Sequence, residues 1–261
     1  MSDKQLPLYQ RIRRFHLEMT GRNLKIYGCV TMLFYTISMS IVENGLIHVN
    51  NYTAEGLSAA LAADPHLMLL STWASLLRLV GALALPVFAF LLVEGFEHTS
   101  SFKRYLLTML AFGVISEIPY DLAMDDKLFS FSSQNVMFTY ALCLVMLYGL
   151  RMFVGRKGLH FRLAQVILVV ATILWGELLQ CAFSLITVLL CAVYYLLYDR
   201  KSQRVLVGCA VSTLYVTSIF SGYALWTYAG ERGIIKNKYI FYMLYPAHLL
   251  LLGTIAHFMA R

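Results

Sequence analysis

Charge is what this sequence has least of. Asp, Glu, Lys and Arg make up 13% of its 261 residues and hydrophobic residues 59%, which excludes a soluble globular domain and marks an integral membrane protein. Strict polar–apolar alternation is also missing. The apolar stretches are about 18–23 residues long, enough to cross about 30 Å of hydrocarbon as helices, so the chain reads as an all-α bundle and not a barrel. No internal repeat, low-complexity tract or second domain interrupts it, and residues 1–261 are expected to form one helical membrane domain. The first 25 residues are basic and polar, without the short apolar core and small-residue cleavage site of a removable signal. Cys29, Cys143, Cys181, Cys191 and Cys209 fall in apolar segments at spacings that match neither a zinc site nor a disulfide framework. No metal is expected.

What is present is a series of apolar runs. They predict eight spans at about 25–46, 75–95, 104–120, 136–155, 163–180, 182–198, 205–228 and 239–258. An even number puts both termini on one side. If that side is cytoplasmic it holds 16 of the 21 Lys and Arg residues, with residues 1–24 as a basic segment, so the positive-inside rule selects N-in, C-in. The net charge of +7 therefore sets topology and does not point to nucleic acid; the expected surroundings are lipid. Residues 47–74 form the longest outer connection, with an Ala/Leu-rich middle suited to an interfacial or re-entrant helix. The runs at 163–180 and 182–198 are almost continuous, either a tight hairpin or one interrupted span.

Chemistry concentrates in the hairpin Leu85–Asp121. Glu94 and Glu117 each sit near the end of an apolar span, where an ionisable group costs about 2.5–3.5 kcal/mol unless it faces a bundle interior, a cavity or a partner. On the predicted topology Glu43, His48, Glu117, Asp121, Asn135 and Glu177 gather at the outer level, and Tyr245-Pro246-Ala247-His248 lies about two turns into a last span that begins outside. Convergent carboxylates and imidazoles in an apolar bundle have the makings of an acid–base site. Glu117 and His248 are expected to approach each other, directly or through a third group. At the opposite face, Glu94, His98 and Thr99 with Lys103 and Arg104 make a turn that suits a phosphate-bearing donor. The plainer readings are solvated helix ends outside and an ordinary positively charged loop inside.

At these residues the chain resembles the TraX family of membrane acyltransferase-like proteins, named after the conjugation protein that acetylates the amino terminus of pilin. The matching stretches are Pro86–Leu107, Ile115–Ala123, Asn135–Leu144 and Asn237–Leu251, with a weaker one at Leu24–Ser38. The chain departs from the family pattern at three places. Tyr35-Thr36 stand where the first span has Asp-His, Ala82 where the second has Arg, and Ala182-Phe183-Ser184 where a late span has Asp-Tyr-Gly. The resemblance implies a multi-pass protein of the bacterial inner membrane that uses acetyl-CoA or another acyl-CoA as donor substrate and modifies an amine or hydroxyl of a peptide or small membrane-associated acceptor. The resemblance supplies no catalytic imidazole here, and His248 and His48 are the candidate substitutes as base; the residues then give a scheme with Glu117 or Asp121 orienting the base, Lys103 and Arg104 on the donor phosphates, and Glu94, His98, Thr99, Asn135 and Tyr245 as further substrate- or donor-binding groups. Loss of the first-span Asp-His leaves two readings open, relocated chemistry or a non-catalytic assembly or immunity partner. Transport of a small solute is a third, weakened by the lack of internal symmetry.

Overall fold

The computed structural model describes residues 19–231, Gly233 and 239–261, and its regular elements are helices, with no β-strand among the described residues. Helix α1 (Gly21–Thr36) starts at an N-cap, Thr20, whose hydroxyl accepts from the Asn23 N–H. It continues without a break as an 11-residue π-helix, Ile37–Ile47. After a 3₁₀ turn at Val49–Asn51 come α2 (Ala54–Ala63), α3 (Pro65–Gly81) and α4 (Ala84–Glu97). Asp64 caps α3 by accepting from the His66 N–H, and Pro65 occupies the first helical position, where its missing N–H costs nothing. The second span thus begins at Pro65, earlier than residue 75 as hydropathy suggested. The Ala/Leu-rich middle of 47–74 is α2, a separate helix.

The remaining helices are α5 (Phe102–Asp125), α6 (Val136–Arg151), α7 (Leu159–Leu178), α8 (Ser184–Leu196), α9 (Lys201–Ser212), α10 (Ser221–Trp226) and α11 (Tyr239–Met259). Among the described residues, five helical stretches are long and apolar enough to cross a membrane: Gly21–Ile47, Pro65–Glu97, Phe102–Asp125, Leu159–Leu178 and Tyr239–Met259. The apolar helices α6 and α8 are shorter, with 16 and 13 residues; at 1.5 Å per residue α8 reaches only about 20 Å. Residues 163–198 are a tight hairpin, turning at Gln180 and Phe183, both with left-handed backbone.

The expected seventh span, 205–228, does not cross. α9 has 12 residues, about 18 Å of helix, and the chain then turns back, so that Lys201 Nζ donates to the Tyr228 carbonyl at 2.7 Å and Cys209 lies against Gly222. Hydroxyls make the turn tolerable inside an apolar bundle, where freed carbonyls need internal donors. Thr213 donates to Ala210 O, and Ser218 to Ser212 O and Tyr215 O. Ser221, just past the turn, donates to Leu83 O at the α3–α4 kink.

That fold-back reverses the last helix. α11 runs parallel to α1 and α5: Lys25 lies over the Phe241 ring, Thr36 meets His248, Gly253 lies against Ala123, and His257 pairs with Asp126 at 2.6 Å. The last span therefore starts at the end of the bundle that carries His98 and finishes at the end that carries Asp126. The described chain consequently begins and ends at opposite ends of the bundle, which overturns the expectation of both termini on one side. Two glycines permit the tight crossings. A Cβ on Gly81 would stand 2.5 Å from Tyr35 Cβ, and one on Gly253 2.9 Å from Ala123 N. The main core gathers on α4, α6 and α8, with Val87, Val93, Leu144, Leu147, Val188 and Leu190 fully buried.

Candidate functional site

A cavity of about 530 Å³ opens at the His98 end, within the range of small-molecule sites. Along α4 its lining runs from His98 and Glu94 inward to Phe88, ten residues or about 15 Å of helix. Its mouth is lined by Gly21 and Lys25 in the first turns of α1, by Ser101 and Arg104 at the start of α5, and by Tyr239 at the start of α11. Ser101 caps α5, its hydroxyl accepting from the Arg104 N–H. Three helix N-termini with two cationic side chains make this mouth attractive to anions. Deeper in, Tyr105, Tyr140 and Tyr242 give way to Met109, Met137 and Leu92. Of the residues expected at a donor site, Glu94, His98, Thr99 and Arg104 line the cavity; Lys103, Asn135 and Tyr245 do not.

Glu94 is held from behind. Arg204 Nη1 donates to its Oε1 at 2.7 Å, and the Tyr198 hydroxyl donates to Oε2 at 3.4 Å. The Arg204 guanidinium lies 4.0 Å over the Phe90 ring and 4.6 Å from the centre of Tyr198. His98 Nδ1 lies 2.8 Å from the Glu94 carbonyl oxygen. From the sequence, Arg204 counts only as a loop cation; nothing local in it announces a partner 110 positions away.

The other expected residues occupy the far half of the bundle. His248 is buried in α11, its Nδ1 2.8 Å from Leu244 O and its Nε2 3.1 Å from the Thr36 hydroxyl. Glu117 bonds to the Asn135 side-chain amide, which also donates to Gly113 O at 2.8 Å, while Asn135 Oδ1 caps α6 on the Met137 N–H. Asp121, 2% exposed, accepts from the Ser130 N–H at 2.8 Å. His48 closes the π-helix with left-handed backbone, and its buried Nδ1 has no hydrogen-bond partner among the described residues. Glu117 and His248 thus have different direct partners, Asn135 and Thr36. Tyr245 packs edge-on against His248, with ring centres 5.7 Å apart. Among the described residues no group of His, Cys, Asp and Glu is placed to hold a metal.

Comparison with known proteins then decides the kinship. The model of the family described as TraX protein matches residues 23–256. The chain belongs to the TraX family. One relative, a probable fimbrial assembly protein, FimC of serogroup H1, from Dichelobacter nodosus, is 31% identical over 212 residues, which cover 70% of this chain and 84% of that protein. No solved structure matches it significantly. For a TraX protein, the places where this chain departs from the resemblance gather together. Tyr35 packs edge-on against Phe183 with ring centres 5.4 Å apart, and Thr36, next to Tyr35, touches His248. The guanidinium absent at Ala82 is found one turn earlier, on Arg78, which lies 3.3 Å from Glu43 on the π-helix.

Proposed function

We propose that this TraX protein is a membrane-embedded acyltransferase of the bacterial inner membrane that accepts an acetyl group from acetyl-CoA and passes it to an amine or hydroxyl of a peptide or other acceptor at the far face. The observation that carries the reading is the cavity at the His98 end, with three helix N-termini and Lys25 and Arg104 at its mouth and an apolar, tyrosine-lined interior. A polyanionic nucleotide stays at such a mouth, and only a thin uncharged arm can follow the cavity inward. The positive-inside rule places that mouth in the cytoplasm. Among the described residues, the Lys and Arg side chains other than Arg78, Lys127 and Arg261 belong to segments that lie at the His98 end.

In this reading Arg104, with Lys103 and Lys25 nearby, holds the donor phosphates, and His98 and Thr99 contact the donor at the mouth. His248 is the base. In its neutral form the ring must carry the proton on Nδ1 to bond the Leu244 carbonyl, which can only accept, so the lone pair is on Nε2. Glu117, held by Asn135, and Asp121 receive the acceptor from the far side, and Tyr245 stands between the halves. The relative's description as a probable fimbrial assembly protein suits a peptide acceptor. Purified protein incubated with acetyl-CoA and a short amine-bearing peptide should release free CoA in proportion to peptide acetylated, and His248→Asn should stop both. A protein that binds acetyl-CoA yet transfers nothing to any amine or hydroxyl offered would favour the non-catalytic partner.

A further inference from the structure

The Thr36–His248 contact has the make-up of a nucleophile and its base. The hydroxyl oxygen is 3.1 Å from Nε2, the ring is oriented by the Leu244 carbonyl at 2.8 Å on its other nitrogen, and the two residues are 2% and 5% exposed. A hydroxyl, a base within about 2.6–3.2 Å and a third group fixing the base is the signature of an activated nucleophile. Among the described residues, the other acceptor for the Thr36 hydroxyl is Met32 O at 3.3 Å. Thr36 is also the last residue before the π-helix Ile37–Ile47; such helices are uncommon and concentrate at functional sites. Tyr245 packs edge-on against the His248 ring with centres 5.7 Å apart, so the imidazole is held on a second side as well.

We infer that Thr36 is the covalent acyl carrier of this protein. The inference rests on the acyltransferase reading and deepens it: one group cannot serve a cytoplasmic thioester and a far-side acceptor at once, whereas a carrier in mid-bundle serves each in turn. As the Thr36 oxygen attacks the thioester carbonyl, its proton passes to His248 Nε2. The carbon–sulfur bond breaks, the sulfur takes that proton, and CoA leaves as the thiol, with the acyl group now an ester on Thr36. In the second half an amine or hydroxyl of the acceptor attacks that ester, its proton passes through His248 to the Thr36 oxygen, and the carbon–oxygen bond to Thr36 breaks, restoring the hydroxyl.

The test is peptide mass spectrometry of the full-length protein in detergent, quenched in acid after exposure to acetyl-CoA without acceptor, with acetyl-CoA binding and thiol release measured on the same samples. The expected result is acetylation located at Thr36, kept in Thr36→Ser and lost in Thr36→Val and His248→Asn, both of which still bind acetyl-CoA. Binding with neither acetylated Thr36 nor thiol release overturns the carrier, as does Thr36→Val that transfers acetyl to a peptide at the wild-type rate, though the acyltransferase reading survives the latter. A wild type that binds no acetyl-CoA removes both.

Discussion

Arg204 places a guanidinium, 6% exposed, inside an apolar bundle, and such a charge is tolerated only if it is answered. Glu94 answers it electrostatically and the Phe90 and Tyr198 rings answer its face. Truncating one member leaves the other buried and uncompensated, which costs about 3–5 kcal/mol, whereas replacing both with apolar or neutral groups is far milder. Arg204→Met should therefore lower the thermal midpoint in detergent sharply, and Arg204→Met with Glu94→Gln should recover most of the loss. If the double substitution is no better than the single one, the pair is not coupled as described. Asn135 is a second residue on which three partners depend. Asn135→Leu takes the side-chain amide from Glu117 and the Gly113 carbonyl and the cap from the Met137 N–H, leaving Glu117 the 3.4 Å bond from the residue-135 backbone N–H, and at about 1–3 kcal/mol for a buried group left short of a partner it should clearly lower the thermal midpoint in detergent. Asn135→Asp keeps the cap but sets a second carboxylate against Glu117, and its folding should improve as pH falls and protonation relieves the repulsion.

Among the elements, hydropathy finds most of the helices and misreads one. Residues 205–228 have the length and apolarity of a span, and periodicity does not reveal that Thr213, Ser218 and Ser221 will bond backbone carbonyls and let the chain double back. The error propagates, because a miscounted crossing inverts the helix that carries His248. Topology checks it directly. A cysteine at Arg261 should react with an impermeant thiol reagent in intact cells, as should one at Lys127, whereas one at Lys157 should react only after the membrane is breached. A protected Arg261 position would restore eight crossings and contradict the fold-back. Helix crossings offer a further check: Gly81→Ala forces a methyl group against the Tyr35 backbone, overpacking that should cost about 1–3 kcal/mol in detergent unfolding.

Across the whole molecule, the sequence is legible wherever function is written locally. The Glu94–Thr99 turn and Arg104 line the cavity because turn chemistry and helix starts are short-range features. Long-range pairings are not legible in this way. Thr36 and His248 are 212 positions apart and Glu94 and Arg204 are 110 apart, so only the fold reveals that a buried threonine contacts the imidazole or that a loop arginine supports the cavity wall. Lys103 shows the limit of proximity: it adjoins Arg104 in sequence, yet does not line the cavity. The account as a whole stands on an anionic acyl donor occupying that cavity. Calorimetry of acetyl-CoA with the purified protein tests this most directly. Saturable binding is predicted, weakened in Arg104→Gln by about 1–3 kcal/mol, the size of a charge-assisted hydrogen bond, whereas no heat of binding at millimolar acetyl-CoA, from protein shown to be folded, would contradict it.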